Sequence, residues 1–103
     1  MMDGERRQKL LSLLGLAQRG GKLAVGARAV EKLVKQGQKP VVVLATDAGA
    51  SQRAKLSKLQ PVRALVDDVL TAEEMAQALG RQKLVVVGVC DPGFSKGIVA
   101  LAP

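Results

Sequence analysis

Three cations, Lys22, Arg28 and Lys32, surround a glycine, Gly26, that stands just ahead of an amphipathic stretch. Backbone N–H groups at the start of a helix have no intrahelical partner, and the helix dipole is positive there, so such an end attracts anions. The segment from Gly20 to Lys39 therefore has the chemistry of an anion-holding loop rather than of a reacting centre. Phosphate is the anion that such a rim suits. A formal net charge of +7 on 103 residues points to a phosphate-rich polymer, RNA, as the partner. The excess is uneven: residues 1–39 hold nine Lys/Arg against three Asp/Glu. A merely solvated basic face is the plainer reading of any such excess.

The residue types that are missing narrow the chemistry further. There is no histidine, hence no Ser-His-Asp or Cys-His nucleophile system. The single cysteine, Cys90, builds neither a zinc cage nor an intrachain disulfide. It falls at a strand end before a helix start, where a small buried residue explains it better than a thiolate nucleophile. Gly15 to Leu23 has a phosphate-loop look. It carries one residue too many before the lysine, lacks the Ser/Thr that holds magnesium, and follows a helix instead of a strand. No Gly-x-Gly-x-x-Gly fingerprint follows a strand either. Glu74 is better explained as a helix cap than as half of a carboxylate pair with Glu73. No enzymatic activity, cofactor or metal is expected. With no Trp or Tyr and one Phe, Phe94, the chain has no platform for stacking splayed bases. No apolar run approaches the ~20 residues of a membrane span, and the opening Met-Met-Asp-Gly-Glu-Arg-Arg lacks a signal-peptide pattern. A cytoplasmic location with no membrane partner is expected.

The elements that must position these groups follow from periodicity. Glu5 to Arg19 has helical spacing, with Leu10, Leu13, Leu14 and Ala17 on one face and Leu11 and Leu16 widening it. Gly15 costs that helix about 1 kcal/mol relative to alanine, which suggests a close-packing site, and Gly20-Gly21 ends it. Leu23 to Val25 makes a brief strand, and Gly26 takes the N-cap position of a helix that Gly37 closes. Val41 to Leu44 and Leu84 to Val89 are unbroken apolar runs, as expected of strands covered on both faces. Ser51 caps a polar helix from Gln52 to Leu59. Val62 to Val66 is a further strand, ended by the solvated pair Asp67-Asp68. Thr71 and Glu74 form a capping box for the next helix, which Gly80 ends. Asp91-Pro92 opens the last one, with Phe94, Ile98 and Leu101 inward. The alternation predicts a single domain, residues 1–103, with an α/β fold.

Gly-Ala-Arg-Ala-Val-Glu-Lys, then Gly37, then Val-Val-Val-Leu-Ala-Thr-Asp resembles the kink-turn RNA-binding ribosomal family of large-subunit proteins seven-Ae and thirty-e. Thr-Ala-Glu-Glu-Met-Ala-Gln-Ala-Leu-Gly and Val-Val-Val-Gly-Val-Cys-Asp-Pro-Gly-Phe-Ser-Lys fit the same family in the same order. The opening Leu-Gly-Leu-Ala-Gln-Arg-Gly-Gly-Lys-Leu is similar to its bacterial, YlxQ-like branch. The resemblance implies a three-layer α-β-α sandwich with a four-stranded mixed sheet. It also implies binding where tandem sheared G·A pairs bend an RNA duplex. On that basis Gly26 and Ala27 approach the RNA backbone. Arg28 stands where the family has an Asn that contacts a base or phosphate, and Ala29 where it has a Glu that reads guanine. Lys32 matches a phosphate-contacting Lys. Arg81, Gln82 and Lys83 correspond to a second contact loop. The departures at Arg28, Ala29, Arg81 and Lys83 imply a shift from base-edge readout towards phosphate and shape recognition.

The expected function is therefore a non-catalytic, ribosomal or ribosome-associated protein. Its expected partner is structured RNA, a kink-turn or ribosomal RNA, with other ribonucleoprotein components beside it. The alternative is a protein-interaction adaptor within a ribonucleoprotein assembly, using the polar helix near Gln52 to Leu59.

Overall fold

The protein, described from a computed structural model over residues 2–59 and 61–101, alternates helices and strands. The elements are α1 (Met2–Arg19), β1 (Leu23–Val25), α2 (Ala27–Lys35), β2 (Val41–Leu44), α3 (Ala50–Ser57), β3 (Ala64–Val66), α4 (Ala72–Leu79), β4 (Val86–Val89) and α5 (Pro92–Val99). The four strands form one mixed sheet in the order β1-β4-β2-β3. β2 and β3 are parallel, with Val41 opposite Ala64, while β4 runs antiparallel to both its neighbours. Helices cover both faces. This is the α/β sandwich that the alternation requires.

The two unbroken apolar runs supply the central strands, although the second pairs only from Val86, with Leu84 and Val85 ahead of β4. Every residue of β2 and β4 is buried. Period-two alternation sends their side chains to opposite faces. Val41, Val43, Val87 and Val89 join Leu10, Leu14, Met75, Leu79 and Ile98 under α1, α4 and α5. Val42, Leu44 and Val86 join Val30 and Leu56 under α2 and α3. The second layer is the thinner, and it carries the candidate site.

Several local expectations are revised. α3 starts at Ala50, with Gly49 at its N-cap and no side-chain cap, so Ser51 lies inside the first turn. β3 is confined to Ala64–Val66, because Arg63 N–H is used on Pro40 O at 2.9 Å ahead of the ladder. Asp67 is not free in solvent. It pairs with Arg53 at 3.3 Å. Leu16 does not widen the core face and is 48% exposed. A Cβ placed on Gly15 would meet nothing within 4 Å, so that glycine marks no close packing. The close approaches are at Gly97, against Leu13, and at Gly88, against Val30.

The capping box forms. Glu74 N–H donates to Thr71 Oγ1 at 3.2 Å and Thr71 N–H donates to Glu74 Oε1 at 2.9 Å. Glu74 also pairs with Arg7 of α1 at 3.0 Å, so one side chain closes α4 and ties it to α1. Thr71→Ala should lower stability by about 0.5–2 kcal/mol, measured by urea unfolding. It should leave ligand binding unchanged, because α4 lies on the other layer.

Candidate nucleic-acid interface

β1 and β2 are both antiparallel to β4 and so run in one direction. α2 follows β1 and α3 follows β2. Both helices pack on the same face, so both begin at the same end of the sheet, where β4 starts. Ligand crevices in open α/β sheets form outside the carboxyl ends of such strands. Gly26 N–H donates to Val86 O at 2.9 Å and Ala45 N–H donates to Val85 O at 2.8 Å, which ties the chain leaving β1 and the chain leaving β2 to the start of β4.

Neither helix start is closed by its own sequence. α2 has Gly26 and α3 has Gly49 at the N-cap, and neither has a side-chain cap. By contrast, Thr71 closes α4 and Asp91 closes α5. Gly26 has φ 93° and ψ 162°, a region almost reserved for glycine, where another residue costs about 1–3 kcal/mol. That conformation turns the chain from β1 into α2 and keeps Cβ atoms away from the first amides. Arg28 is exposed in the first turn of α2, which holds no acidic residue. A cation at the positive end of a helix dipole is unfavourable by itself. An anion seated there would be attracted by the helix dipole and by Arg28 together.

Gly26 and Lys83 line one open cleft of about 310 Å³, together with Leu84, Val85 and Gln52 of α3. Gln52 was not singled out from the sequence. Its Oε1 is buried and has no partner among the described residues. An unpaired buried acceptor is costly, and the side chain that carries it borders the cleft. No local pattern marks Gln52, because its position depends on how α3 packs beside β4. The nearby carboxylates are committed elsewhere: Asp47 accepts from Ala72 N–H at 2.9 Å and Asp67 pairs with Arg53. Arg53 also donates to Thr46 O at 2.9 Å, so it staples the β2–α3 turn.

The structure groups some of the expected site residues and separates others. Gly26, Ala27, Arg28 and Ala29 lie at this end, with Ala27 and Ala29 partly buried, and Lys83 joins them across the cleft. Arg81 and Gln82 are exposed on the loop that leads to Lys83. Lys32 is exposed one turn beyond Arg28 on the same helix face. Lys22 is at the other end of the three-residue β1. There it lines a separate open cleft of about 430 Å³ with Leu33, Gln38, Cys90 and Asp91. Burial pushes the Cys90 thiol above its ordinary range, opposite to the shift of a reactive thiolate.

The charge is divided between the layers. Residues 26–39 and 50–63, which hold α2 and α3, carry eight Lys/Arg and one acidic residue, Glu31. The rest of the chain carries eight of each sign. The whole formal excess of +7 therefore resides on the layer that holds the open helix starts. Among the described residues, no helix is long and apolar enough to cross a membrane.

Comparison with known proteins agrees with this architecture. The chain is 29% identical over 96 residues to the RNA-binding protein YlxQ of Enterococcus faecium, covering 92% of each. It is 29% identical over 90 residues to the RNA-binding protein YlxQ of Bacillus subtilis, covering 86% of this chain and 90% of that one. A Bacillus halodurans protein of unknown function superposes with a TM-score of 0.78 at 40% identity, covering 90% of this chain and 95% of the other. A 15.5 kDa RNA-binding protein of Giardia lamblia shares the fold, with a TM-score of 0.70 at 16% identity, covering 94% of this chain and 84% of the other. The model of the ribosomal protein L7Ae/L30e/S12e/Gadd45 family matches residues 8–99, and the chain belongs to that family.

Proposed function

We propose that this protein is a non-catalytic RNA-binding protein that grips structured RNA at the shared start of α2 and α3. One observation carries the reading: two uncapped helix starts flank a cleft bordered by Lys83, on the layer that bears the entire charge excess. Phosphates seat on the open amides of α2 beside Gly26 and Ala27. Arg28 and Lys32 neutralise phosphates along α2, and Arg81, Gln82 and Lys83 close on the RNA from the opposite side. Gln52 offers an acceptor to a base or ribose donor in the cleft. The YlxQ relatives support this reading, since both are named as RNA-binding proteins and neither as an enzyme.

Kink-turn-like RNA, ribosomal or ribosome-associated, is the proposed target, and the cytoplasm the proposed place of action. Such RNA offers a sharply bent backbone that two helix ends and a loop can grip together. With Ala29 at the position of the family's guanine reader, shape and phosphate placement carry more of the selectivity than base edges do. The test is a titration of a kink-turn RNA against a matched duplex without tandem G·A pairs, at several salt concentrations. Tighter binding of the kink-turn at every salt is expected. Equal affinity for both would remove kink-turn recognition. Lys32→Ala should weaken binding to all RNAs alike and reduce the salt slope by about one unit. An unchanged slope would take Lys32 out of the interface.

A further inference from the structure

The cationic layer does not end where the helix starts do. Arg28, Lys32 and Lys35 are spaced four and three residues apart, so they form one stripe down α2. All three are exposed. α2 and α3 both run away from the open cleft, so their C-terminal ends also lie together, at the start of β2 and β3. There Arg63 N–H donates to Pro40 O at 2.9 Å, and Val41 is opposite Ala64, which brings the segments before the two strands side by side. Lys35, Lys39, Lys58 and Arg63 are exposed at that end, and among the described residues none is paired with a carboxylate. The Lys22 cleft opens at the same end, next to Gln38.

We infer that the far end of the α2/α3 layer is a second RNA-contact surface, in which Lys35, Lys39, Lys58 and Arg63 hold the backbone of an RNA segment flanking the one gripped at Gly26. The occupant follows from charge and continuity. Cations at helix C-termini have a structural use, and one in each last turn would satisfy it. Lys39 and Arg63 lie beyond those turns, however, and the rest of the chain balances its charges. An unbroken stripe leads from the proposed first contact to the second. α2 spans nine residues, or about 13 Å at 1.5 Å per residue. A duplex arm leaving the first contact along α2 reaches the far cluster without another turn.

The inference rests on the proposed RNA-binding function, and two RNAs separate the failures. One is a minimal kink-turn with short flanking stems. The other is the same kink-turn with both stems extended by a full helical turn. The variant is Lys35→Gln/Lys39→Gln/Lys58→Gln/Arg63→Gln, all at exposed positions. Lys39→Glu/Arg63→Glu serves as a second variant outside the helices, and circular dichroism monitors folding of both. The wild type should bind the extended RNA with a salt slope steeper by about three units. The fourfold variant should lose that increment and about tenfold or more in affinity at moderate salt, while its binding to the minimal RNA stays within twofold. If the wild type binds both RNAs with one slope, or if both variants match it on the extended RNA, the second surface is refuted while the first stands. If the wild type binds neither RNA, both readings fall.

Discussion

Arg28→Ala should weaken RNA binding by about 1–3 kcal/mol, roughly five- to 150-fold, with no loss of thermal stability. Arg28 is exposed and has no described ion pair, so its removal breaks no salt bridge among the described residues. It also relieves a cation from the positive end of the α2 dipole, so the folded protein should be as stable as the wild type or slightly more so. A residue that is neutral or unfavourable for folding but strongly favourable for binding has the profile of a ligand contact. Arg28→Lys separates two ways of acting. If Arg28 is a point charge beside phosphate, lysine restores affinity and salt slope together. If the guanidinium fork makes two parallel bonds to a phosphate or a guanine edge, lysine restores the slope but not the affinity. Titration of both variants at three salt concentrations, with melting curves alongside, decides this. Unchanged affinity in Arg28→Ala would move the interface away from the start of α2.

The neighbouring Ala29 makes this experiment more informative. Its methyl group can donate or accept no hydrogen bond, and it is partly buried. Under the proposed function, side-chain discrimination of bases at the first turn of α2 would therefore fall to the exposed Arg28. Loss of sequence preference in Arg28→Ala, beyond loss of affinity, would mean that the arginine has taken over readout. Uniform loss across RNAs would leave specificity to the shape of the bend.

Much of this architecture was legible in the sequence, because local physics dictates it. Val41–Leu44 and the run ending at Val89 lack polar alternation, and only a strand covered on both faces tolerates that; both are central. Thr71 with Glu74, and Asp91 with Pro92, satisfy backbone groups a few residues away, so they act as caps wherever the helix packs. What stayed hidden depends on pairing between distant segments. Lys22 and Gly26 are four residues apart, but three extended residues of β1 place them at opposite ends of the sheet. Gln52 sits in an unremarkable polar helix and gains its position only because α3 starts beside β4. Ser51 is a better intrinsic cap than Gly49, yet α3 starts at Ala50, directly after the turn that Arg53 holds on Thr46 O. Gly15 stands out in sequence as a helix-interior glycine, yet the glycine against which α2 is seated is Gly88, which the apolar pattern of its strand does not distinguish.

Gly88 links the sheet to the proposed interface, and its substitution should produce the largest structural effect. It pairs with Ala24 on one side and Val42 on the other. A Cβ there would stand 3.1 Å from Val30 Cγ2 and 3.5 Å from Pro40 Cβ. Val30 is fully buried and is the anchor of α2 on the sheet. Its β-branched side chain has little rotamer freedom in a helix, so it cannot swing aside. Gly88→Val adds methyl groups at the tightest point and must lift α2 off the sheet, at about 1–3 kcal/mol for overpacking. For a domain of this size that corresponds to a fall in Tm of roughly 5–20 °C. RNA affinity should fall as well, although residue 88 is buried, because Gly26, Arg28 and Lys32 move with the helix. Val30→Ala should restore room, so that Gly88→Ala/Val30→Ala is less destabilised than the sum of its single variants. Gly15→Ala provides the opposite sign: with open space around it, alanine should raise stability by up to about 1 kcal/mol and leave binding alone. If Gly88→Val melts and binds like the wild type, the close seating of α2 on β4 is wrong. The geometry of the open helix starts, on which the interface depends, would be wrong with it.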